Sequence, residues 1–161
     1  MILFDKHIVA VIQEHRTDRF FDDRRQRGQC AGADAVYLGG RAFGARAYAK
    51  NFETCEIERA VEYCHLYGVK LYVTVNTLVF DKEMRELSDY AAKLWEVGVD
   101  ALIITDLGAI REIKRRVPKM ELHASTQMSV HSADGAKMAA ALGCSRVVLA
   151  RELSYENIKT A

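Results

Sequence analysis

His123 is followed at two-residue steps by Ser125 and Gln127, and Asn76 shares a parity with Tyr72 and Thr74. An imidazole exchanges a proton near neutral pH, and hydroxyls and amides both donate and accept. Such a set can orient a polar substrate and handle its protons. Other apolar runs end in usable groups as well: Gly39-Gly40-Arg41, Thr105-Asp106 and Arg151-Glu152. Arg41, Arg46 and Lys50, with Phe43 and Tyr48 between them, form a cationic and aromatic segment. That composition suits an anionic ligand or RNA. Each group also has a plainer reading. Asp106 can cap the next helix, His123 can be a hydrogen-bonded core residue, Arg151 and Glu152 can pair locally, and the arginine segment can be a solvated loop.

These groups need elements to position them. Five short runs read as strands: 35–39, 71–76, 101–106, 120–126 and 146–150. Gly32, Gly68, Gly98 and Gly143 each precede a strand by a few residues, and Pro118, the single proline, precedes the remaining one. A glycine just past a helix end is a common stop signal. Between the runs the apolar period becomes helical. Ile57, Ala60, Val61 and Cys64 make one stripe, and Met84, Leu87, Ala91, Leu94 and Trp95 another, with Asp81 as N-cap. Ile110, Ile113 and Val117 make a third. Ser132 is the expected cap of a fourth helix carrying Ala136, Ala139, Ala140 and Leu142.

Strand and helix in alternation imply parallel strands with right-handed crossovers, as either a (β/α)₈ barrel or an open doubly wound sheet. The face pattern favours the barrel. Leu71, Val73 and Val75 oppose Tyr72, Thr74 and Asn76, and Leu122, Ala124 and Thr126 oppose Glu121, His123, Ser125 and Gln127. The apolar set should meet the helices and the mixed set should point inward. Strand carboxyl ends carry the ligand site in such folds. The expected pocket is therefore Asn76, Asp106, His123, Ser125, Gln127, Arg151 and Glu152, with Arg41 and Arg46 overhanging it as the anion-binding pair.

The chain has 161 residues, a net charge of +1, 50% hydrophobic and 28% charged residues. This excludes a polyacidic or polybasic tail and wholesale disorder. The apolar runs are too short to span a membrane, and the N-terminus has no signal-peptide pattern, so a cytoplasmic location is expected. Cys30, Cys55, Cys64 and Cys144 lack metal-ligand spacing, and no metal is expected on them. Nucleotide-phosphate motifs and the HExxH, GxSxG and SxxK hydrolytic motifs are absent from the sequence.

From Ala31 onward the chain resembles the collagenase-like peptidase family (peptidase family U-thirty-two). The resemblance is carried by Gly32-Ala-Asp-Ala-Val-Tyr-Leu-Gly-Gly40, Phe43-Gly-Ala-Arg-Ala-Tyr48 with Asn51-Phe52, and Val73-Thr-Val-Asn76. It continues through Asp100-Ala-Leu-Ile-Ile-Thr-Asp106, His123-Ala-Ser-Thr-Gln127 and Arg146-Val-Val-Leu-Ala-Arg-Glu-Leu-Ser154. It implies a partial TIM-like (β/α) barrel over residues 30–161, the N-terminal part of a longer enzyme. The family includes proteins named as peptidases and others implicated in hydroxylating tRNA or ribosomal RNA bases, with prephenate as a proposed hydroxyl source. Several members carry an iron–sulfur cluster on four cysteines later in their chains, which none of the four cysteines here matches.

Residues 1–29 depart from the family's first unit. They read either as a misassigned start or as a divergent unit using Ile8 to Ile12 as its strand. The expected function is RNA-base hydroxylation in an intact parent protein, with collagenase-like proteolysis as the alternative and an inactive remnant or interaction module as a second. The expected partners are RNA or a small anionic substrate such as prephenate, or else a peptide. Open barrel edges suggest self-association.

Overall fold

A computed structural model of the chain describes residues 9–11, 33–45 and 51–160. Six strands form one sheet: β1 (Val9–Val11), β2 (Ala35–Gly39), β3 (Lys70–Val75), β4 (Ala101–Ile104), β5 (Glu121–Ala124) and β6 (Arg146–Val147). Helices α1 (Thr54–Leu66), α2 (Met84–Glu96), α3 (Leu107–Arg116) and α4 (Ala133–Ala141) fill the connections from β2 onward, and α5 (Tyr155–Thr160) follows β6. The strands lie in the order β1-β2-β3-β4-β5-β6, and every neighbouring pair is parallel. A doubly wound sheet reverses its strand order at a switch point. Strictly sequential order is instead the wall of a (β/α) barrel, here a partial one.

Alternation sorts the strand residues as their chemistry requires. Val36, Leu38, Leu71, Val73, Val75, Leu102, Ile104, Leu122 and Ala124 are buried in one core with the helices. The helices supply Ile57, Ala60, Val61 and Cys64 from α1, Leu87, Ala91 and Leu94 from α2, and Ile110 and Ile113 from α3. The opposite face of the sheet buries Ala35, Tyr72 and Ala101, with Tyr37 and Ile103 packed beside them. Removing water from the helix-side face is the main stabilising term of the fold.

The punctuation works as local chemistry dictates. Gly98, just past α2, takes φ 88° and donates to the Trp95 carbonyl; Gly68 and Gly143 also have positive φ. A side chain at such a position would meet its own backbone, so glycine is the low-cost residue there. Ser132 caps α4 by accepting the Gly135 amide at 3.1 Å.

Some boundaries differ from the sequence pattern. Asp81 is not the cap of α2; it opens a 3₁₀ turn over Asp81–Glu83 that leads into the helix. Trp95 is 40% exposed, because the buried stripe of α2 runs through Leu87, Ala91 and Leu94 and leaves it at the edge. Strand β5 ends at Ala124, where Ser125 turns the chain into a 3₁₀ turn at Thr126–Met128. Strand β6 keeps only two residues of the expected five.

Candidate functional site

The strand register stacks the inward side chains in rows. Gly39, Thr74, Ile103, His123 and Arg146 are successive partners from β2 to β6, and Tyr37, Tyr72, Ala101 and Glu121 form the row below. His123 is 3% exposed, and its ring meets Tyr72 edge-on, with 4.7 Å between centroids and 82° between planes. The guanidinium of Arg146 lies 5.9 Å from the centroid of the same tyrosine ring. Glu121 Oε2 is 3.8 Å from His123 Nε2. Burial, then the field of Arg146, holds the His123 imidazolium unfavourable and lowers its pKa to about 4. At neutral pH His123 is an uncharged ring, able to accept at one nitrogen and donate at the other.

Above this cluster the chain leaves the strands, and its loops are tied in series. Asn76 Oδ1 accepts the Ala45 amide at 3.1 Å, and the Thr77 amide and hydroxyl both donate to the Phe43 carbonyl. Phe43 has φ 57°, a strained backbone for a bulky residue, and its ring packs 6.1 Å from Tyr90. Those two hydrogen bonds help fix the strained turn. Asp106 Oδ2 accepts the Val79 amide at 3.4 Å, joining the loop after β3 to the start of α3. Leu78, Phe80 and Leu107 stand exposed along this rim.

The residues singled out from the sequence therefore separate. His123 and Ser125 are buried, and Asn76 is half-buried. The Ser125 amide donates to the Ile104 carbonyl, and its hydroxyl accepts the Gln127 amide. Asp106 caps α3, its Oδ1 accepting the Ala109 amide at 2.8 Å. Thr105 Oγ1 is buried and has no hydrogen-bond partner among the described residues.

Gln127 is exposed on the 3₁₀ turn, where strand alternation no longer holds, so it does not continue the row of His123. Arg151 and Glu152 are exposed in a turn. Arg41 is ion-paired with Glu53, and Arg46 lies outside the described residues. The sequence reading set Tyr72 on the inward face without taking it into the pocket, and it passed over Arg146, whose row only the strand register shows.

A profile describing peptidase family U32 matches residues 28–161. The chain belongs to peptidase family U32. A 23S rRNA 5-hydroxycytidine synthase of Escherichia coli is 41% identical over 128 residues, which is 80% of this chain and 19% of that protein. A tRNA hydroxylation protein of Bacillus subtilis is 39% identical over 128 residues, 80% of this chain and 30% of its own. A collagenase of Porphyromonas gingivalis is 35% identical over 134 residues, 81% of this chain and 31% of that one. The chain thus spans about a fifth to a third of these U32 relatives.

Among solved structures, a U32 peptidase superposes with a TM-score of 0.65 at 13% identity, covering 92% of this chain and 62% of the other. A type I 3-dehydroquinate dehydratase of Clostridium difficile gives 0.60 at 11% identity, covering 94% and 63%. At those identities the likeness is one of fold.

Three cysteines of this U32 chain lie among the described residues. Cys55 is exposed on α1, while Cys64 and Cys144 are buried in the apolar core. Among the described residues, His, Cys, Asp and Glu side chains nowhere gather in threes as a metal site would need. No helix among the described residues is long and apolar enough to cross a membrane.

Proposed function

We propose that the chain is the barrel portion of an enzyme that hydroxylates a base in tRNA or ribosomal RNA, with the inward face of β3 to β6 as its substrate site. The observation that carries this reading is the 41% identity to a ribosomal RNA 5-hydroxycytidine synthase, over a stretch that takes in four fifths of the chain. The chemistry of the face agrees. A neutral buried His123 with hydroxyls at Thr105 and Ser125 and an amide at Asn76 can read the polar edge of a base through uncharged hydrogen bonds. A small anionic co-substrate, such as prephenate, is the second occupant proposed for the whole protein, and its compartment is proposed to be the cytoplasm.

The test is mass spectrometry of nucleosides from cells that lack the gene. The reading requires that a hydroxylated pyrimidine in tRNA or ribosomal RNA disappear, return with the wild-type gene, and fail to return with His123→Ala. An unchanged nucleoside profile would end it. The rival reading, peptide hydrolysis, takes its support from the collagenase relative. It requires gelatin cleavage by the purified full-length protein, abolished by the same substitution.

A further inference from the structure

Trp95 is the single tryptophan of the chain, and the packing of α2 does not account for it. The helix buries Leu87, Ala91 and Leu94, while Trp95 stays 40% exposed. It borders an open groove of about 420 Å³ between the last turn of α2 and the turn that follows α3. Val117 and Pro118 continue the apolar lining, and Glu96, Arg116 and Lys119 bring charge to it. Crossover helices run opposite to the strands, so this groove lies at the far end of the wall from the strand carboxyl ends.

The charge around the groove is one-sided. The chain has a net charge of +1, yet residues 111–119 hold five cations, Arg111, Lys114, Arg115, Arg116 and Lys119, against one carboxylate, Glu112. Cations in a last turn offset the helix dipole, which accounts for Lys114, Arg115 and Arg116. Lys119 lies past the helix end, and it has no ion pair among the described residues. Arg116 reaches Asp89 only at 3.8 Å, with both side chains more than half exposed. So loose a pair is readily exchanged for another anion.

We propose that this groove docks a single-stranded segment of RNA, with one base stacked on Trp95 and the adjoining phosphates on Arg116 and Lys119. An indole face accepts any base, so the contact is tolerant of sequence. The guanidinium and ammonium supply charge-assisted donors to phosphate. An acidic peptide would satisfy the cations but offers no flat face to the indole. Glu96 opposes the anion and tempers its affinity. The contact holds RNA at a stretch remote from the reacting base, and its strength does not depend on that base. The choice of RNA rests on the function proposed above.

The experiment uses the full 161-residue chain, in which the emission of the single tryptophan reports this groove alone. Hexauridylate, inorganic phosphate and hexaglutamate are titrated in separately. Hexauridylate should quench Trp95 saturably, with an affinity that falls as salt rises, and the other two should not. By anisotropy of labelled hexauridylate, Trp95→Leu should weaken binding by about tenfold. Arg116→Gln and Lys119→Gln should each weaken it several-fold, and Glu96→Gln should tighten it. Lys137→Gln, on α4, should leave it unchanged. Trp95→Phe keeps an aromatic face and most of the affinity, which guards against a misfolded Trp95→Leu.

Unchanged Trp95 emission with hexauridylate would overturn the assignment, as would RNA affinity that neither cation variant alters. Equal quenching by hexaglutamate would make the groove an acidic-peptide site. Emission that changes with protein concentration alone would make it a contact between copies of the chain; either result refutes the RNA site. Binding is read without turnover. An unchanged cellular nucleoside profile therefore refutes the proposed reaction and leaves the groove standing, while failed quenching refutes the groove and leaves the reaction to its own test.

Discussion

Acidification from neutral pH should destabilise the chain through His123. In the unfolded chain the imidazole titrates near 6.5, whereas in the fold its pKa is lowered to about 4. Between those values the unfolded state binds a proton that the folded state refuses, so stability falls as pH falls through that window. Above it both states are neutral and the residue contributes no pH dependence; below about 4 both are protonated and the loss levels off. At about 1.4 kcal/mol per pKa unit, the gap corresponds to a loss of about 3 kcal/mol. With His123 3% exposed, solvent screens little of that.

The assay is urea unfolding of the wild type and His123→Gln at about pH 7, 5.5 and 4.5. Carboxylates and the other histidines titrate in both proteins, so the difference between the two profiles isolates the buried ring. The wild type should lose most of those kcal/mol relative to the variant across the window. Parallel profiles, or a His123 ring that titrates near 6.5 by NMR, would refute the burial argument.

Other substitutions test the packing and the loop ties. A Cβ on Gly40 would overlap the Tyr90 hydroxyl, whose pKa burial and the nearby Glu53 push up to about 12. Gly40→Ala should therefore cost about 1–3 kcal/mol in urea unfolding, with part of the loss recovered by adding Tyr90→Phe. Asp106→Ala removes the cap of α3 and the tie to Val79, and should lower stability by about 1–2 kcal/mol, while Asp106→Asn keeps most of it. Leu102→Ala empties a fully buried position between the sheet and the helices and should cost about 2–5 kcal/mol by the same assay.

Where the sequence could be read, a periodic demand stood behind it. Leu122 and Ala124 had to meet helices and His123 had to face the other way, because adjacent strand residues cannot share a face. The stripe Ile57, Ala60, Val61 and Cys64 was likewise forced by one helix burying one side, and all four are buried. Periodicity ended where hydrogen bonding to single side chains took over. Ser125 diverts the backbone into a turn, so Gln127 leaves the row that spacing assigned to it. Asp106 drew attention through its charge, yet its carboxylate serves two backbone amides, while the hydroxyl of its uncharged neighbour Thr105 is buried with no partner among the described residues. Arg146 simply opens the run 146–150. Only the pairing of His123 with Arg146 across two strands reveals its place, and that register lies between distant segments of sequence.

The sequential sheet order also governs how the chain can acquire its structure. Every strand pairs with the strand made just before it, and the widest pairing is between β2 and β3, as from Ala35 to Lys70. Parallel pairing requires closing a loop long enough to hold a crossover helix, so it is entropically slower than a hairpin. Here, however, each closure from β2 to β6 spans only one strand–helix unit, and no pairing among the described strands awaits a more distant segment. A unit leaving the ribosome finds its docking edge already synthesised, so ordering can proceed in the direction of translation, one increment at a time. The growing edge at any moment is the one the next increment covers, which limits how long its unpaired amides and carbonyls remain available to other nascent chains, while the outer edge of β1 has no partner strand among the described residues.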